Sequence, residues 1–211
     1  MIRRYLLMAG AALTVAACSR PVEKKSAPAA PALPPLLPDT ITVRLQTSEG
    51  DILLRLERKK APITTANFLH YVDTGKLDGA HFWRALKVGA KQGFIQGAIS
   101  TPPYAPIAHE PTTQTGLSHT DGAISLSRFA PGTATIDFTI SVGDMTYLDA
   151  GGTGSTDKLG YAAFGHVVEG MEVVKRILHD PVDRKRDEDG LEGQILKAPV
   201  TIIKASRVPA G

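Results

Sequence analysis

Ile136-Asp137-Phe138-Thr139-Ile140-Ser141-Val142 is the clearest strand in the chain. Ile136, Phe138, Ile140 and Val142 share one parity and Asp137, Thr139 and Ser141 the other, so one face is buried and the other turns outward. Working outward, Gly122 to Ser127 reads as a strand with Ile124 and Leu126 on one face, and Phe164 to Val168 as another. Near the start of the domain Ile41, Val43 and Leu45 alternate with polar residues. Ile52, Leu54 and Leu56 do the same, and Ser48-Glu49-Gly50-Asp51 between the two sets marks a hairpin. Phe82, then Gly93 to Ile99, read as strand, and Val200, Ile202 and Ala205 as the last one.

Two segments carry helical signals. Pro62 to Asp73 has proline in its first turn, an apolar stripe of Ile63, Phe68, Leu69 and Val72, and Gly75 as a left-handed stop. Gly170 to Leu178 is a shorter helix. Ser100 to Thr120 is a proline-bearing polar loop of functional length. Many short strands with two helices predict a mainly β fold, a barrel or sandwich with helical plugs.

The N-terminus reads as an address. Arg3 and Arg4 precede an apolar run from Tyr5 to Val15, and Ala16-Ala17-Cys18 forms a small-residue processing site. The run is shorter than the roughly 20 residues a membrane-spanning helix needs. Val15-Ala16-Ala17-Cys18 resembles a bacterial lipobox, whose cysteine is lipidated. Residues 1–17 are therefore expected to be a lipoprotein signal peptide, 18–39 a lipidated Pro/Ala-rich tether, and 40–211 the folded domain. The expected location is the periplasmic side of a bacterial cell envelope, on the inner or outer membrane, held by lipid on Cys18. Pro21, Pro28, Pro31, Pro34, Pro35 and Pro38 favour an extended spacer, rising about 3.1 Å per residue where the chain is polyproline-like.

Composition excludes several classes. Net charge is +3 and falls to +1 once Arg3 and Arg4 leave with the signal, which gives no reason to invoke nucleic acid. Cys18 is the only cysteine, so neither an intramolecular disulfide nor thiol catalysis is expected. The six histidines show no helical metal-ligand spacing, and no Gly-x-Ser-x-Gly elbow occurs. No metal or cofactor is expected.

What remains is Phe82-Trp83-Arg84, followed by Gly93-Phe94-Ile95-Gln96-Gly97-Ala98. A permanently charged arginine and an amide beside glycines, with no nucleophile nearby, suit an enzyme that rotates a bond without breaking one. The order of Gly50-Asp51-Ile52, Ala61 to Phe68, Phe82-Trp83-Arg84, Ile95-Gln96-Gly97, Tyr147-Leu148-Asp149 and Phe164 to Met171 resembles the cyclophilins, peptidyl-prolyl cis/trans isomerases. The likeness spans essentially all of Ile41 to Val208. It implies a closed eight-stranded antiparallel barrel capped by two helices, proline-containing polypeptides as substrates, and no cofactor.

By that resemblance Arg84 matches the catalytic arginine and Gln96 the glutamine that binds the substrate backbone. An ungapped alignment would put Gln92 in that role, because the loop after Arg84 is longer than usual. Phe82, Phe94, Ser127 and Leu148 match pocket or backbone-binding positions. Tyr147 stands where many members have Trp, and Tyr161 where others have His. Ile136-Asp137-Phe138-Thr139 departs from the family's usual Ser-Gln-Phe-Phe. Thr139 is expected to weaken the proline pocket, and Asp137 to pair with Arg84. The resemblance thus implies an isomerase for exported proteins; the alternative is a weakly active or inactive peptide-binding lipoprotein of the same shape.

Overall fold

The computed structural model describes residues 38–89, 91–185 and 190–209. Its eight strands are β1 Ile41–Thr47, β2 Gly50–Leu56, β3 His81–Val88, β4 Gln92–Ala98, β5 Ala123–Leu126, β6 Phe138–Val142, β7 Ala162–Glu169 and β8 Ile195–Arg207. They close into a barrel in the order β1-β2-β7-β5-β6-β4-β3-β8, every pair antiparallel. The choice between barrel and sandwich is thereby decided: closure leaves no free sheet edge. The expected signal peptide, Cys18 and all of the tether before Pro38 lie outside the described residues.

Two helices occupy the predicted places, α1 at Pro62–Asp73 and α3 at Met171–His179. A third, the single turn α2 at Thr112–Thr115, lies in the long loop where none was expected. Gly75, at φ 66, supplies the predicted left-handed exit from α1. Phe68 of α1 meets Phe138 edge-on at 5.5 Å and Phe164 at 5.3 Å, near the starts of β6 and β7. Val173, Val174, Ile177 and Leu178 of α3 are buried, with Leu178 packed close to Gly93. The helices thus seal opposite ends of the barrel.

Inside, Phe82 packs on Phe138 at 5.6 Å and 77°. Gly97 makes that possible, since a Cβ there would stand 2.9 Å from the Phe138 ring and 3.0 Å from Phe82. Thr139 and Ser141 are buried, because Met145 and Leu148 of the following loop cover this wall together with Phe94.

The long loop is tied down by Glu110, which is fully buried. Its Oε1 accepts from the Ile63 amide at 3.1 Å, and its Oε2 from the Thr64 amide and hydroxyl, both at 2.7 Å. Ala61, at the helix entrance, offers no side-chain cap. A carboxylate 46 residues downstream therefore satisfies the orphan N–H groups of α1 and complements its dipole.

Candidate active site

β3 carries an irregularity that decides where Arg84 points. Phe82 pairs with Gly97 and Arg84 with Gln96, so Trp83 is an extra residue on the β3 side. Phe82 and Ala85 are both buried although three apart. In an unbroken strand Arg84 would share the face of Phe82; the bulge re-aims it outward, onto the face of Gln96. Phe82 itself is core, wholly buried against Phe138, and does not line the outer wall where a substrate was expected to meet it.

Three contacts hold the guanidinium. Nη1 donates to Gln96 Oε1 at 2.8 Å, while Nε and Nη2 donate to Gln194 Oε1 at 2.9 and 2.5 Å. Its Cζ lies 5.0 Å from the centre of the Phe94 ring, a cation–π contact. Gln96 in turn donates from Nε2 to Asp137 Oδ1 at 2.7 Å. The expected pairing of Asp137 with Arg84 is therefore corrected: Gln96 stands between them. Burial draws the Arg84 guanidinium below its ordinary value, opposed by Asp137, Tyr161 and Tyr147. Burial also raises the Asp137 carboxyl, opposed by the Gln96 hydrogen bond and the charge of Arg84.

Of the two glutamines weighed in the sequence, only Gln96 touches Arg84. Gln92 is exposed at the start of β4 and donates to the Asp144 carbonyl at 2.9 Å.

Beside Arg84 lies an apolar cluster distinct from the barrel core. Phe94, Met145 and Leu148 form its buried part, with Leu86, Tyr147 and Tyr161 packed around them. The single 3-10 turn Thr146–Leu148 carries Tyr147 and Leu148. Burial raises the Tyr147 hydroxyl, with Tyr161 adding to the effect and Arg84 opposing it. Thr139 sits across from Gln96 in the β4–β6 ladder, its hydroxyl 2.9 Å from that of Ser125. Ser127 continues the wall, its amide donating to the Asp137 carbonyl at 2.8 Å. The expected site residues other than Phe82 are thus gathered on one wall, formed by β3, β4 and β6 and the loops over them.

Residues 42–206 match the family model described as cyclophilin type peptidyl-prolyl cis-trans isomerase/CLD. The chain is 34% identical over 164 residues to a peptidyl-prolyl cis-trans isomerase of Acinetobacter baylyi, covering 76% of this chain and 82% of that one. It is 36% identical over 138 residues to peptidyl-prolyl cis-trans isomerase B of Escherichia coli, covering 64% and 82%. The chain belongs to the cyclophilin-type peptidyl-prolyl cis-trans isomerase family. A crystal structure of a Cryptosporidium parvum cyclophilin type isomerase shares the fold, with a TM-score of 0.64 at 18% identity over 82% of this chain and 99% of that one.

Three features of this cyclophilin escaped the sequence reading. Gln194 sits just before β8 in a stretch without periodic signal. Arg128 has its side chain 2% exposed, gripping Asp157 at 2.8 and 3.0 Å and the Gly160 carbonyl, with Cζ 5.6 Å from the Tyr161 ring centre. Asp149 accepts from the Ser118 hydroxyl and the His119 amide, and its Oδ1 lies 2.5 Å from His119 Nδ1. Burial draws His119 below its ordinary value, opposed by its hydrogen bond to Asp149 and by the charge of that carboxylate. These last two clusters hold the loops bearing Leu148 and Tyr161 against the barrel.

Proposed function

We propose that this isomerase acts on X-Pro bonds of exported proteins and assists their folding, with Arg84 as its catalytic group. The observation that carries this reading is the setting of Arg84: a fixed cation beside the Phe94–Leu148 cluster, whose side-chain hydrogen bonds among the described residues go to neutral amide oxygens.

An X-Pro bond rotates slowly because resonance gives its C–N bond double-bond character, with a barrier of about 18–20 kcal/mol. In the twisted state the nitrogen becomes pyramidal and regains its lone pair. An N–H aimed at that nitrogen, or at the carbonyl oxygen, stabilises the twisted state more than the planar ones. Arginine keeps its charge at any working pH and presents five N–H groups in a rigid plane. Three are engaged by the described residues, which leave one on each terminal nitrogen for substrate. Phe94, Leu148, Tyr147 and Tyr161 provide the apolar surface for the proline ring, while Gln96, Ser127 and Thr139 face the peptide backbone.

The N-terminal segment supports export: paired arginines, a short apolar run and Val15-Ala16-Ala17-Cys18. Lipid on Cys18 then ties the enzyme to the envelope through the proline-bearing spacer. Cys18→Ala is expected to move the protein from the membrane fraction to the soluble periplasmic one; retention in the membrane would remove the anchor.

The second reading, a peptide holder of low turnover, draws on Thr139. Its hydroxyl, bonded to Ser125, puts polar atoms where the family resemblance implies an aromatic ring. The two readings separate in cis-to-trans relaxation of a short X-Pro peptide with the full-length protein and its Arg84→Ala variant. The expected result is acceleration that falls by about 100- to 1,000-fold in the variant, the cost of losing one principal transition-state donor. A folded parent that binds the peptide without accelerating its relaxation would establish the holder.

A further inference from the structure

We infer that Gln194 is a positioning residue for Arg84, fixing the guanidinium through a neutral oxygen so that its charge stays available to substrate. This rests on Arg84 as the catalytic group.

The geometry is that of a fork. Gln194 Oε1 receives both Nε and Nη2, so it lies along one edge of the guanidinium plane. Gln96 Oε1 receives Nη1 on another side. One acceptor alone would leave the plane free to swing about its own bond; two acceptors on different sides, with the Phe94 ring across one face, define edge, face and rotation together. The backbone of Gln194 is itself fixed. Its carbonyl accepts from the amide of Ala85, the residue following Arg84, at 2.8 Å, and its amide donates to the Leu191 carbonyl at 3.0 Å. The next residue, Ile195, is the ladder partner of Arg84. The seam between β3 and β8 thus delivers the acceptor to the arginine through backbone hydrogen bonds of adjacent residues.

The identity of the acceptor matters as much as its place. A half-buried arginine is more commonly met by a carboxylate, which would fix it equally well and neutralise it. Among the described residues, both groups that hydrogen-bond the guanidinium are amides, and the carboxylate of the relay, Asp137, is one side chain removed. An amide oxygen is the only orientation open to Gln194, since its NH2 end would face two N–H donors. The guanidinium is therefore held still and left cationic, the state in which it best meets a developing lone pair.

The experiment compares the full-length parent with Gln194→Leu, Gln194→Glu and Arg84→Ala. It reads kcat and KM on an X-Pro peptide, the urea midpoint, and the solvent exchange of the Arg84 Nε–H resonance. Gln194→Leu is expected to lower kcat by about 10- to 100-fold, the scale of a misplaced catalytic group, with KM and urea midpoint near the parent's and the Nε–H exchanging faster. Gln194→Glu is expected to restore slow Nε–H exchange while kcat stays below the parent's, because the carboxylate neutralises the charge it positions. Parent-like kcat and exchange in Gln194→Leu, beside an inactive Arg84→Ala, would overturn this inference and leave the isomerase reading standing. Parent-like turnover in Arg84→Ala would overturn the catalytic assignment itself. A Gln194→Glu enzyme as fast as the parent would remove the argument from neutrality. Should Gln194→Leu not fold, Gln194→Asn, which withdraws the oxygen by one methylene, takes its place with the same expectations.

Discussion

The two faces of β4 belong to different kinds of structure. Inward, Ile95 and Gly97 join Phe68, Phe82, Phe138 and Phe164, whose rings meet one another at 5.3–5.6 Å. Outward, Phe94 and Gln96 share their wall with Arg84, Asp137, Thr139 and Leu148. The interior is made by burial, which is non-directional and arises wherever alternation places apolar side chains on one side. The outer wall is made by directed hydrogen bonds, each needing a particular partner at a particular place. Stability resides chiefly in the first and orientation in the second.

The largest expected effect breaks the interior. Phe138→Ala removes a ring that touches both Phe68 and Phe82, and is expected to cost about 3–5 kcal/mol of stability. Urea denaturation checks it; a loss below about 1 kcal/mol would mean the barrel collapses to fill the gap. An intermediate effect tests whether the outer loops depend on directed bonds. Glu110→Gln replaces a carboxylate that accepts three hydrogen bonds by an amide whose NH2 opposes donors at the start of α1. About 1–3 kcal/mol should be lost, with faster amide exchange at Ile63 and Thr64. Unchanged exchange there would show that the cap is dispensable.

The smallest effect concerns Asp137 and has a defined sign. Burial holds its carboxyl above the ordinary value, so the folded chain takes up this proton at a pH where the unfolded chain has not. Within that window the native state binds more protons, and this group's contribution to stability rises as pH falls. Asp137→Asn should flatten the pH dependence just above the ordinary aspartate value of about 3.9, as read from urea midpoints across mildly acid pH. A slope unchanged in the variant would assign the effect to other groups.

The contrast between the faces also explains what could be read from the sequence. α1 falls on Pro62–Asp73, as its proline and glycine stop foretell, although Ile63 of the expected stripe is exposed and Tyr71 is buried in the helix face instead, and the first hairpin follows its alternation. β3 was legible only at Phe82, because the extra residue at Trp83 places Phe82 and Ala85 three apart and interrupts the period of two. Arg84 and Gln96 could be associated because they are partners in one hairpin. Gln194 and Glu110 could not, since each reaches its partner across more than 40 positions with no periodic signal. The expected Asp137–Arg84 pair failed on spacing. Their backbones belong to β3 and the approach to β6, with β4 between them, and adjacent strands lie about 4.8 Å apart. Opposite charges on a shared face pointed to a pair, but the intervening strand supplied Gln96 in its place.

The seam between β3 and β8 also has a meaning in time. Arg84 and Gln194 are separated by 110 positions and meet only when the last strand has closed the ring. Hairpins such as β1–β2 and β3–β4 need only short loops, whereas this contact waits on the closure of a far longer one. A refolding molecule is therefore expected to regain its early hairpins before it regains a fixed arginine. Turnover followed during refolding becomes a clock for ring closure, and its recovery lags the signal of the early hairpins.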